Sequence, residues 1–166
     1  WHLPWILTEV GRICQTRLPL MTHQTVYVID FGGQYTQLIV RRVRELGIYS
    51  EMVPWTEAAE KLTHNQPAAV ILSGGPRSTL DQGAPDIDFK VLEGIPTLGI
   101  CYGMQLMGLR LGGRVEKASH KEYGFRTIVP ALKDSLVANL ASNQVWMSHG
   151  DQVLTVPPGF VATSST

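Results

Sequence analysis

The chain has 166 residues, 44% hydrophobic and 17% charged, the proportions of one ordinary globular domain with a real core. Fourteen basic and fourteen acidic side chains cancel, so no global field draws in nucleic acid or an anionic membrane surface, and neither is expected as a partner. No apolar run approaches the roughly 18 residues of a membrane span, and no Cys/His cluster has metal-ligand spacing, so neither a membrane segment nor a bound metal is expected.

Residues 1–20 carry apolar patches broken by Glu9, Arg12 and Arg17, without the basic start and clean apolar centre of a signal peptide. Met21 is a natural start, and the patterning becomes regular from Thr25. The first twenty residues are therefore read as a non-native leader or extension, and 21–166 as the domain. Cys14 falls in that extension, which leaves Cys101 expected as a reduced thiol in a cytoplasmic protein.

Val26 to Asp30 is a short β-branched run that ends at Phe31-Gly32-Gly33. Ile39, Val43 and Leu46 then follow at helical spacing, stopped by Gly47, with Arg41, Arg42 and Arg44 on the solvated face. Ile48 to Val53 predicts a second strand, and Thr56 a cap for a short helix through Leu62. Ala68 to Leu72 is continuously apolar, as in strands buried on both faces, and runs into Ser73-Gly74-Gly75-Pro76. A short helix is expected near Ile87 to Leu92, then a buried strand from Pro96 to Ile100 and a helix from Tyr102 to Leu111 closed by Gly112-Gly113. Arg114 to Ala118, Phe125 to Val129, Val145 to Met147 and part of Phe160 to Thr163 read as strands, with a short helix opening at Asp134.

Strands alternating with helices predict an α/β fold: a doubly wound, mostly parallel sheet flanked by helices. In such sheets the functional loops gather beyond the carboxyl ends of the strands. Three loops meet that condition, Phe31 to Gln34, Ser73 to Pro76 and Cys101 to Gln105, and Ser148-His149-Gly150-Asp151 is read as a fourth.

Cys101 stands between Gly99 and Gly103 where a strand hands over to a helix, the wiring of a nucleophile elbow. The turn strains its central residue and tolerates only small residues two positions either side. A thiol at the first turn of a helix also meets the partial positive charge of unpaired N–H groups, which favours the thiolate. The pattern alone also fits a buried cysteine beside packing glycines. Gly74 and Gly75 can offer N–H groups to a developing oxyanion, as can Tyr102, although Ser73 to Pro76 also fits a plain tight turn. Without a P-loop lysine, the nearby Arg77 is too little to make this a phosphate cradle. Gln105, one helical turn beyond the cysteine, can hydrogen-bond an amide or carboxylate, or can be a surface glutamine. His149 fits a general base or a residue that shapes a pocket, while His23, His64 and His120 lie in polar surroundings.

Gly99-Ile100-Cys101-Tyr102-Gly103-Met104-Gln105, preceded by Ser73-Gly74-Gly75-Pro76 and followed by Ser148-His149-Gly150-Asp151, resembles the class I (triad) glutamine amidotransferases. Ile29 to Ile39, with Glu122-Tyr123-Gly124 and Trp146 to Asp151, narrows the resemblance to the amino-terminal domain of the glutamine-hydrolysing GMP synthase family, over Val26 to about Thr163. Relatives in anthranilate and carbamoyl phosphate synthesis usually carry Leu and His at Tyr102 and Met104, and Pro-Gly at Gly74-Gly75. The resemblance implies a flavodoxin-like fold and attack by Cys101 on the side-chain amide of glutamine, with no cofactor for that step. Gly75 and Tyr102 would form the oxyanion hole, and Gln105, Ser148, His149 and Asp151 would bind substrate glutamine. Ammonia would pass to an ATP-pyrophosphatase domain of the same polypeptide, which uses ATP and Mg2+ on xanthosine monophosphate, in a homodimeric parent. His149 matches the pocket, not the base. The family's His-Pro-Glu-type motif, with the catalytic histidine and glutamate, is not found before Thr166, so the chain is expected to be an incomplete domain, inactive or weakly active. A stand-alone hydrolase of other γ-glutamyl amides and a non-catalytic partner module are the alternatives.

Overall fold

The computed structural model describes residues 24–130 and 143–165. The helix expected at Asp134 and the twenty-residue extension lie outside the described residues.

Four strands, β1 (Thr25–Asp30), β2 (Tyr49–Pro54), β3 (Ala69–Leu72) and β4 (Thr97–Gly99), form one sheet in the order β2-β1-β3-β4, and every pairing in it is parallel. Helices α1 (Thr36–Glu45), α2 (Ala58–His64) and α3 (Tyr102–Arg110), with a 3-10 turn at Phe89–Leu92, make the connections. The register sorts the sheet into two faces. Tyr27, Ile29, Val53, Val70 and Leu72 share one face and form the main core with Ala58 and Leu62 of α2, Ile87, Leu92, and Tyr102 and Leu106 of α3. On the opposite face α1 packs over β1 and β2, and the buried Ser50 hydroxyl donates to the Val40 carbonyl at 3.0 Å. Helices on both faces of a parallel sheet are the predicted doubly wound arrangement.

The second part of the described chain is antiparallel. β5 (Arg114–Thr127) pairs with β7 (Gln144–Thr155), and β6 (Val129–Pro130) with β8 (Ser164–Ser165). The ribbon is fastened to α3 through Val115 and Val153, whose side chains close over Gly108. Its outer surface shows an exposed edge-to-face pair, Phe125 and Trp146, with ring centroids 4.8 Å apart.

Four local expectations change. Thr56 does not cap α2: a turn from the Pro54 carbonyl to the Glu57 N–H carries the chain one position further, and Glu57 is the cap, without a side-chain hydrogen bond. The two strands expected from Arg114 and from Phe125 are one strand, because β7 pairs with it on both sides of residues 118–121, with a register shift between Lys117 and Glu122. The last strand lies at Ser164–Ser165, beyond Phe160 to Thr163, where Val129–Pro130 provides its ladder. The strand from Pro96 to Ile100 is not buried: among the described residues β4 is the sheet edge, and although α3 packs against it, Leu98 on the other face is 45% exposed.

Leu72 is fully buried, and Leu72→Ala is expected to cost about 2–5 kcal/mol through lost transfer energy and an unfilled cavity. Leu98→Ala is expected to cost less than about 1 kcal/mol, since much of the side chain already meets water. Urea unfolding of both variants checks the assignment, and equal losses would place Leu98 in the core after all.

Candidate active site at the strand–helix elbow

Where β4 meets α3 the backbone turns within one residue. Cys101 has φ 50° and ψ −107°, the only positive φ at a residue other than glycine among the described residues. The cause is close approach of backbones. A methyl group at Gly103 would fall 2.4 Å from the Leu72 carbonyl oxygen, and one at Gly99 would fall 2.7 Å from the Met104 Cα. Both glycines are thus required, so that α3 can sit against β3 and β4. The turn is fixed by Ile100 N–H donating to the Leu72 carbonyl at 2.9 Å, Gly103 N–H to the Ser73 carbonyl at 3.0 Å, and Gln105 N–H to the Cys101 carbonyl at 3.0 Å.

The three predicted loops converge on this turn. A methyl group at Gly33 would meet the Gly74 carbonyl oxygen at 2.3 Å, and one at Gly74 would stand 3.7 Å from the Cys101 Cβ. Gly75 packs against Phe31 and the Tyr102 ring, and the Phe31 and Tyr102 rings lie 5.1 Å apart between centroids. Behind them stands a polar relay that sequence reasoning missed. Thr36 Oγ1 donates to Asp30 Oδ1 at 2.8 Å and lies 3.2 Å from Ser73 Oγ, which in turn accepts the Phe31 N–H at 3.2 Å. Asp30 also accepts the Gly32 N–H at 2.9 Å, so one carboxylate and two hydroxyls lock the first loop to the second. Small polar residues at strand ends were the available signal. Arg77 is held by the carbonyls of Gln82 and Gly83.

Ser148 to Asp151 is not a loop but the middle of β7, paired with β5, so that Ser148 lies opposite Tyr123, His149 opposite Glu122 and Asp151 opposite Lys117. Its polar sequence hides a strand because the ladder partner comes from far along the chain. The side chains of Ser148 and His149 lie outside the described residues. Gln105 and Asp151 do come together. Gln105 is buried, and its Nε2 donates to the Asp151 carbonyl at 2.9 Å, so the surface reading of this glutamine is set aside. Asp151 is itself buried, and its Oδ2 accepts a hydrogen bond of 2.5 Å from Ser78 Oγ, a second contact not foreseen.

The electrostatics run against one expectation. Cys101 as a residue is exposed, yet burial around the thiol pushes its pKa up, and the Asp151 carboxylate adds to the rise. The Tyr102 N–H at the helix start acts in the opposite direction and is outweighed. The helix end does stabilise the thiolate, but a single amide does not offset desolvation and a neighbouring carboxylate. The Tyr102 phenol is pushed up to about 12, first by burial and then by Asp86, and it donates to the Pro85 carbonyl. Two open clefts, about 660 Å3 beside Asp86 and Arg110 and about 490 Å3 beside Arg41 and Met52, do not include Cys101. Among the described residues no group of three His, Cys, Asp or Glu side chains could hold a metal ion, and no helix is long and apolar enough to cross a membrane.

Gly103→Ala is expected to destabilise the chain by at least ~2 kcal/mol, because the added methyl must displace β3 backbone. A urea midpoint equal to that of the parent chain would mean that helix and strand are not in contact there. Alkylation of Cys101 by iodoacetamide, followed by peptide mass spectrometry, is expected to quicken about tenfold per unit between pH 7 and 8, since a thiol raised above its ordinary value is still mostly protonated there. A rate already level across that range would show a preformed thiolate.

The sequence profile of the glutamine amidotransferase class-I family matches residues 27–166. GMP synthase [glutamine-hydrolyzing] of Bacillus cereus is 49% identical over 146 residues, covering 87% of this chain and 28% of its own length. The enzyme of the same name from Syntrophomonas wolfei is 49% identical over 148 residues, 88% of this chain and 29% of its own. The chain therefore spans less than a third of the length of these relatives. In three dimensions it is similar to a candidate GMP synthase component of Thermoplasma acidophilum, with a TM-score of 0.68 and 29% identity over 87% of this chain and 73% of that one. A glutamine amidotransferase of Thermotoga maritima shares the fold, with a TM-score of 0.62 at 21% identity over 86% of this chain and 66% of that one. With its strained cysteine, converging glycine loops and matching profile, the chain belongs to the glutamine amidotransferase class-I family.

Proposed function

We propose that the chain is the glutaminase portion of a GMP synthase, releasing ammonia from glutamine for the amination of xanthosine monophosphate. The observation that carries this reading is the placement of Cys101, raised on its strained turn, beside Gly74 and within the electrostatic reach of Asp151, whose carbonyl is held by Gln105. The 49% identity to the GMP synthases supports the choice among amidotransferases.

In the proposed reaction the Cys101 sulfur forms a bond to the side-chain amide carbon of glutamine, and the amide oxygen becomes an oxyanion. Gly75 and Tyr102 N–H groups stabilise that oxygen, the contribution preorganised donors make where negative charge develops. As the C–N bond breaks, the nitrogen takes up a proton and departs as ammonia, leaving a glutamyl thioester that water cleaves to glutamate and the thiol. Because the resting thiol is raised, the step needs a base to take its proton. That role is assigned to the His-Glu pair of the family, supplied by a further segment of the polypeptide. Asp151, whose side chain is buried, provides the counter-charge for the α-ammonium of the substrate, with Gln105, Ser148 and His149 completing the pocket. No cofactor enters this half-reaction. ATP and Mg2+ belong to the synthetase domain, the proposed partner on the same polypeptide in a homodimer.

A second reading, a non-catalytic module, draws on the same raised thiol, since a protonated cysteine is a poor nucleophile. The complete polypeptide separates the two. Cys101→Ala is expected to abolish glutamine-dependent GMP formation while ammonia-dependent formation persists, because added ammonia bypasses the thioester. Equal loss of both activities, or loss of neither, would overturn the assignment.

A further inference from the structure

Ser78 follows the Gly74-Gly75 loop by three residues and touches a strand 73 positions away. Its backbone and its hydroxyl are both held by the turn that follows. The Leu80 N–H donates to Ser78 Oγ at 3.1 Å, the Ser78 N–H donates to Asp81 Oδ2 at 3.1 Å, and the Asp81 N–H donates to the Ser78 carbonyl at 3.2 Å. These bonds form a closed polar turn that leaves the side chain little rotational freedom. A serine hydroxyl has one proton to give. Since an N–H already points at its lone pair, that proton goes to Asp151 Oδ2, 2.5 Å away, a charge-assisted bond of the short, strong kind. The other end of Asp151 is fixed as well, its carbonyl accepting from Gln105 Nε2 at 2.9 Å.

Asp151 is thus gripped from two directions, by the helix that carries the nucleophile and by the turn that continues the Gly74-Gly75 loop. We propose that Ser78 is a positioning residue for substrate recognition, its hydroxyl holding the Asp151 carboxylate in the one orientation that receives the α-ammonium of an amino-acid substrate. This rests on the glutamine-site reading above and adds to it a mechanical link: the loop that meets the reacting amide also sets the group that meets the far end of the substrate. Such a link fixes the spacing between the two ends and selects L-α-amino acids with a γ-amide over shorter or longer homologues.

The test uses the complete polypeptide and two electrophiles, followed at Cys101 by peptide mass spectrometry. One is the chloromethyl ketone with the glutamine skeleton, which carries the α-ammonium and α-carboxylate. The other is iodoacetamide, which carries neither. With each, the sulfur–carbon bond forms as halide leaves, and the thiol proton passes to buffer. Ser78→Ala is expected to raise the half-saturating chloroketone concentration about tenfold, the fold-change of one lost hydrogen bond to a charged group. The limiting rate and the iodoacetamide rate should stay within about twofold of the parent chain, since the thiol itself is untouched. Ser78→Thr, which keeps the hydroxyl, should restore the parent half-saturation. In an Asp151→Asn background the effect of Ser78→Ala should largely vanish, since it acts through the carboxylate. An unchanged half-saturation in Ser78→Ala, a parallel fall in iodoacetamide labelling, or an undiminished effect in the Asp151→Asn background would each overturn the role of Ser78. Chloroketone labelling of the parent chain that does not saturate would instead overturn the glutamine-site reading itself.

Discussion

Everything at this site depends on how closely α3 approaches the sheet. With hydrogen in place of side chains at Gly99 and Gly103, helix and strand backbones meet at a separation that no Cβ permits, and the chain between them has room for only one conformation at Cys101. A positive φ at a residue with a side chain costs about 1–3 kcal/mol. The Leu72, Ser73 and Cys101 carbonyls hold it there by accepting the amides of Ile100, Gly103 and Gln105. Strain and fixation together lift the thiol off the sheet and keep it from relaxing into a regular helical start.

The loops around the cysteine are stiffened by a second device, short hydrogen-bonded chains of small polar groups. Asp30, Thr36 and Ser73 join the ends of β1 and β3, while Ser78, Asp151 and Gln105 join the Gly74-Gly75 loop, β7 and α3. Each chain is largely shielded from water, where partnered polar groups specify a geometry because leaving one unpaired is costly. Such shielding has an electrostatic side. The same burial and the same Asp151 carboxylate hold the thiol in its protonated form. In the proposed reaction, nucleophile and substrate anchor are thereby in tension, and attack by Cys101 requires the proton to be removed at that moment.

Much of this was legible in the sequence because the relevant constraints are local. A β-branched run gave β1, a continuous apolar run gave β3, the i, i+4, i+7 spacing gave α1, and glycines two positions either side of Cys101 gave the elbow. Non-local constraints were not legible. The polar Ser148 to Asp151 stretch becomes strand only because β5 lies beside it, and Ser78 gains its significance from a residue 73 positions away. The Pro96 to Ile100 run looks buried by composition, but exposure is set by what lies over a strand, and Leu98 faces the side of the sheet away from α2 and α3. The sign of the thiol shift was missed for a similar reason. A helix start is visible in sequence, whereas the burial and the carboxylate that outweigh it arrive through the fold.

Cys101 is mounted at the margin of the described sheet. β4 has three residues and, among the described residues, one neighbour, β3, so the strand that leads directly to Cys101 has described lateral support on one side only. A central strand is held by two ladders; this one is held by a single ladder of three residue pairs. The exposed Leu98 thus lies three positions before the strained Cys101, on a strand that has a single ladder among the described residues, so the margin of the described sheet and the root of the elbow are the same short piece of chain.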